Sequence, residues 1–261
     1  MAVATAPLLY YLAQFFRDFV FRKQVAQVVA WTSPANSKKI TTFLEHSFPY
    51  YKLLSSTEKD EFVNRVQMVL QYKFFEGRDN LEITDEIAFG ISAVWVQLTF
   101  GLSRYLSAEY DRIVVVPDVM VSAMGNTYLF TLHKKASTVQ IAWKPFRKGY
   151  TDNKDRHSPG LEVCARLLVR DYFMLTEIEK DYDEWARYAA ENNAHIDAAR
   201  QTLFNVEDFL NMEDVWVACC IALFEAPVEF EATLPELYRL TAKTLNQHMA
   251  TRIHNTKSLN S

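Results

Sequence analysis

The sequence predicts an α+β domain, mostly helical with a small β-sheet. Apolar residues recur at helical spacing through most of the chain, while the convincing strand candidates fall in the window 112–143. Only 6 glycines and 8 prolines occur among 261 residues, which excludes collagen-like and disordered classes. With 49% hydrophobic and 23% charged residues, a chain of this length buries one sizeable core. A net charge of −4 gives no bulk electrostatic case for binding nucleic acid.

Residues 7–31, PLLYYLAQFFRDFVFRKQVAQVVAW, form an amphipathic helical candidate. Arg17, Asp18, Arg22 and Lys23 interrupt it, so it falls short of the roughly 18–20 apolar residues of a spanning helix. Docking on its own domain or on a partner is expected, with peripheral membrane contact as the alternative. Thr32–Ser37 reads as a linker, giving residues 1–36 as helix and linker, 37–249 as the body and 250–261 as a polar tail. Within the body, Ser55 and Glu58 make a capping box ahead of a stripe at Phe62, Val66, Val69 and Leu70. Residues 74–81 read as a turn-rich connection around Gly77. Thr84, Asp85 and Glu86 open a helix that is apolar almost all round to Phe100, and therefore buried. Strands are expected at 112–121, 127–133 and 138–143, followed by a polar loop. Helices are expected at 181–191, 195–204 and 211–227, with a last one ending near Met249.

The chemistry turns on Ser158–Tyr172, SPGLEVCARLLVRDY. Ser158 can cap a helix starting at Pro159. Glu162 and Arg166 then stand at i and i+4, opposite an apolar side of Leu161, Cys164, Leu167 and Leu168. Cys164, Cys219 and Cys220 lie in apolar runs without CxxC spacing, which argues against a disulfide framework and favours a reducing compartment. No P-loop, GxGxxG or GxSxG occurs, and the mixed charges of 147–156 read as a solvated loop.

Over about residues 47–246 the chain resembles the Mlc titration factor A family of zinc-dependent peptidases, which have a gluzincin-like fold. FPYYKLL, IVVVPDVM, VQIAWKPF, FEAP and LPELYRL are similar to family segments. The family's GLHExAHxL matches Gly160-Leu161 followed by EVCARLL, placing Glu162 and Arg166 at the two histidines and Val163 at the catalytic glutamate. The resemblance places Asp214 at the third ligand and Glu207 at the assisting tyrosine. No His-Glu-x-x-His exists anywhere in the chain. The expectation is a noncatalytic, peptidase-like cytoplasmic protein with no bound metal or other cofactor, acting through an unidentified protein partner. In enterobacteria the name-giving member binds a transcriptional repressor. Arg166 is expected to fill the metal's place, paired with Glu162, Asp214 or Glu207. The alternatives are an active zinc peptidase with a rearranged site, drawing on Glu162, His157, Asp214 and Glu207, and a subunit of a membrane-associated assembly docked through 7–31.

Overall fold

A computed structural model of the chain describes residues 34–151 and 156–259. The amphipathic helix expected at 7–31 lies outside these residues. Helix α1 (Pro34–Ser47) begins inside the stretch read as a linker, because proline is tolerated in a first helical turn and Ile40 and Leu44 are buried one turn apart. After a 3-10 turn (Pro49–Leu53), α2 (Ser56–Tyr72) opens on the expected capping box. The Ser55 hydroxyl accepts the Glu58 amide at 3.4 Å, and the Glu58 carboxylate accepts the Ser55 amide at 2.9 Å. Phe62, Val66, Val69 and Leu70 are all buried.

Helix α3 (Asp85–Thr99) is the hub. Thr84 caps it, accepting the Ile87 amide at 3.3 Å, and Asp85 and Glu86 place negative charge where the helix dipole favours it. Every residue from Ile87 to Thr99 is buried, which accounts for an apolar circumference rather than a stripe. Around it pack α1, α2, α4 (Trp143–Thr151) and α5 (Pro159–Arg170).

The sheet has the order β1-β2-β6-β5. Strand β1 (Phe74–Gly77) stands where a turn-rich connection was expected, and it pairs parallel with β2 (Arg112–Val116). Four residues are too few to show alternation, and the pairing that defines them is distant in sequence. The strand expected over 112–121 ends at Val116, where Pro117 interrupts the ladder, and Met120–Val121 (β3) pairs instead with Thr127–Tyr128 (β4). Thus 127–133 is split between β4 and β5 (Phe130–His133), the latter antiparallel to β6 (Thr138–Ala142). Ile113, Val115, Val139 and Ile141 turn into the helical core.

Beyond the sheet, α4 takes in the expected strand end at Trp143 and the first part of the expected loop, of which 152–155 lie outside the described residues. Its aromatics Trp143, Phe146 and Tyr150 follow helical, not alternating, spacing. Helix α6 (Tyr172–Glu191) starts well before the expected Asp181, and α7 (Asn193–Ala198), α8 (Met212–Glu225), α9 (Pro227–Thr233) and α10 (Pro235–Leu245) follow. Instead of a frayed tail, α11 (Met249–Leu259) closes the body: Met249 and Ala250 are buried, and the Ala250 amide bonds the Tyr238 hydroxyl at 2.9 Å. Among the described residues no helix is long and apolar enough to cross a membrane.

Asp171, fully buried, is what separates α5 from α6. Its carboxylate accepts the Ser107 hydroxyl, the Ala108 amide at 3.1 Å and the Glu109 amide at 3.3 Å, pinning the loop ahead of β2, while its other oxygen accepts the Met174 amide at 3.4 Å. Asp171→Ala leaves several buried donors unpaired and is expected to lower unfolding free energy by about 3 kcal/mol, measured by urea denaturation. Nearby, the Lys73 ammonium donates to the Ser107 and Tyr110 carbonyls at 2.6 Å each. Burial pushes its pKa down to about 8, against the attraction of Asp111 and Asp171. Between about pH 8 and the unfolded value near 10.5 the unfolded chain binds more protons, so this group makes stability rise with pH over that window. Lys73→Met should flatten that rise relative to the parent in denaturation series taken from pH 7 to pH 10.5.

Candidate functional site

Helix α5 lies against both α3 and α8. Leu161, Val163, Cys164, Ala165, Leu167 and Leu168 are buried, leaving Glu162 and Arg166 on the narrow strip that faces the start of α8. The helix starts at Pro159 as expected, but the Ser158 side chain makes no capping hydrogen bond. The α5–α8 contact is fixed by aromatic packing: Trp216 donates to the Ala165 carbonyl at 3.2 Å and meets Trp185 of α6 edge-on, with centroids 5.0 Å apart.

Arg166 is the centre of a charged cluster. Its Nε and Nη2 both reach Glu162 Oε1, at 3.2 and 3.1 Å. Nη2 also reaches Asp214 Oδ1 at 2.8 Å, and Nη1 reaches Glu213 Oε1 at 3.1 Å. Arg170 adds a second guanidinium, 2.8 Å from Glu213. Glu213 and Asp214 sit in the first turn of α8, capped by Asn211, whose side chain accepts the Asp214 amide at 3.1 Å. The second oxygen of Asp214 accepts the Leu210 amide at 3.1 Å, so this carboxylate is held from two sides. Burial works against the charge on Arg166, but hydrogen bonds to Asp214 and Glu213 and the attraction of Glu162 outweigh it, and its pKa is raised.

Arg166 therefore joins Glu162 to Asp214. Glu207, also expected as a partner, is exposed in the loop before α8 and takes no part; Glu213 occupies that role. The sequence carried a signal for it, since Glu213 shares the acidic first turn with Asp214. Val163 is 1% exposed and belongs to the core, so a carboxylate there would be buried. His157 is exposed at the end of a loop. Cys164, Cys219 and Cys220 are free and buried, and burial pushes all three thiols up, away from nucleophilic use. Across 147–156, the expected solvated loop is in part helix α4, and Arg147 and Arg156 pair with Glu86 and Glu229.

The architecture is that of a mostly helical, metallopeptidase-like α+β domain. Residues 22–155 match the family described as glucose-regulated metallo-peptidase M90, and the chain belongs to that family. The match ends ahead of α5, so the correspondence of Glu162, Val163 and Arg166 with the His-Glu-x-x-His motif rests on the sequence resemblance given above. Comparison with curated proteins gives no match.

A metallopeptidase requires open coordination by neutral imidazoles and carboxylates, with a base beside the metal-bound water. The cluster offers three carboxylates and no imidazole, and a fixed guanidinium bonds all three. That charge opposes a cation at the same point. Among the described residues no group of three or more His, Cys, Asp or Glu is placed to hold a metal ion. The residues do not fit zinc.

The four central side chains are only 17–25% exposed, so their pairing is worth more than a surface ion pair. Arg166→Met strips the carboxylates of their shared counter-charge and is expected to destabilise the fold by about 2–4 kcal/mol in urea denaturation. In a double-mutant cycle with Asp214→Asn, a coupling energy of about 1–3 kcal/mol is expected.

Proposed function

We propose that this chain is a noncatalytic member of its family, which keeps the peptidase-like fold and acts by binding a protein partner in a regulatory role. The observation that carries this reading is Arg166 bonded to Glu162, Glu213 and Asp214 at the position the resemblance assigns to the metal site. A guanidinium satisfies three carboxylates that would otherwise need a cation, and it leaves no coordination position for a water. The buried Val163 supports the same reading, since no general base stands next to Glu162. Partner binding is supported by exposed apolar side chains around the β3–β4 hairpin, with Val121 65% and Met124 85% exposed. Three free cysteines fit a reducing compartment such as the cytoplasm.

Elemental analysis of protein purified without chelator tests the reading. Less than about a tenth of a zinc per chain is expected, with no change in Asp214→Ala. Near one zinc per chain, lost in Asp214→Ala and accompanied by chelator-sensitive peptide hydrolysis, would establish a rearranged catalytic site instead.

A further inference from the structure

A cavity of about 300 Å³ lies where the start of α5 meets the end of α8. Glu225 of its lining stands roughly 16 Å along α8 from Asp214, while Leu161 of its wall is the chain neighbour of Glu162. Val94 of α3, Leu161 of α5, Phe224 of α8 and Met249 of α11 form its apolar wall, all of them buried. The packing beside it is close. A Cβ at Gly160 would lie 3.0 Å from the Phe146 ring and 3.1 Å from Val94, so the void is not a sign of a loose core. Tyr150, 6% exposed, forms part of the wall. Ser158 and Gln97 add a hydroxyl and an amide to the lining. Among the described residues no lysine or arginine lines the cavity, and Glu225 forms part of its lining.

We propose that this cavity binds one small, uncharged, mainly apolar molecule with a single polar end, of the phenol or short-chain alcohol class. The volume reaches the range of small-molecule sites, the wall supplies apolar contact, and Ser158 and Gln97 supply polar partners for one end. Among the described residues no lining cation is available to a carboxylate ligand. The site is independent of the metal question, since it shares no residue with the Arg166 cluster.

Titration calorimetry of the full chain with p-cresol and with octanoate tests the assignment. Saturable binding of p-cresol at one site, with Kd on the order of 0.1 mM, is expected, and octanoate should bind at least about tenfold more weakly. Leu161→Trp fills the cavity and should abolish p-cresol binding, whereas Gln97→Leu should weaken it by roughly three- to tenfold. If Leu161→Trp does not fold, as judged by circular dichroism, Leu53→Trp enters from the half-buried 3-10 turn and should have the same effect. Absence of p-cresol binding to folded parent protein, binding that survives a folded cavity-filling variant, or octanoate binding as tight as p-cresol would overturn the proposal.

Discussion

The constraint on which this structure depends is the burial of α5 between two helices that are apolar around their whole circumference. Helices α3 and α8 offer almost no polar surface along their middles, so α5 must turn every side chain but a thin strip toward hydrocarbon. Only at the first turn of α8, where Glu213 and Asp214 emerge, does the neighbouring surface become polar. Glu162 and Arg166 occupy the one line of α5 that can meet them. The guanidinium then has a defined role: it makes a carboxylate-lined junction electrically tolerable at the edge of a dry core.

Arg166 also shows how a charged cross-brace and a metal differ as structural solutions. A metal needs donors arranged around a point and an entry path for the ion. The planar fork of arginine instead reaches three carboxylates on two helices. The geometry that ties α5 to α8 is thereby separated from the geometry that activates water. The first holds the helix pair together with or without the second.

What could be read from the sequence was whatever local physics decides. The Ser55–Glu58 capping box, the acidic helix start at Thr84–Glu86 and the all-round apolar α3 are encoded within a few residues, and each lies where its pattern predicts. The pairing of Arg166 with Glu162 follows from helical spacing, and its reach to Asp214 followed from the family resemblance. Features set by distant partners were not legible. Phe74–Gly77 is a strand only because β2 lies beside it, and Asp171 divides two helices only because the loop at 107–109 brings its donors there. Glu213 was missed in favour of Glu207 because a residue-by-residue alignment cannot see which carboxylate the capped turn of α8 turns inward. The helix after Met249 was missed because its polar surface hides two buried anchors.

Those anchors bear on how the molecule is made. Gln247 bonds the Gln97 carbonyl at 2.8 Å and the Leu98 carbonyl at 3.0 Å, and accepts the Tyr50 hydroxyl at 2.7 Å; Arg252 reaches Glu58 at 2.7 Å and holds its carboxyl down near 2. The hub helix α3 therefore has backbone carbonyls whose partners are synthesised about 150 residues later. On the ribosome the early helices and the sheet must wait, partly assembled and with apolar surface open, until the segment near residue 250 has left the exit tunnel. The body is closed by the segment near residue 250, and until that segment arrives the early core keeps apolar surface open.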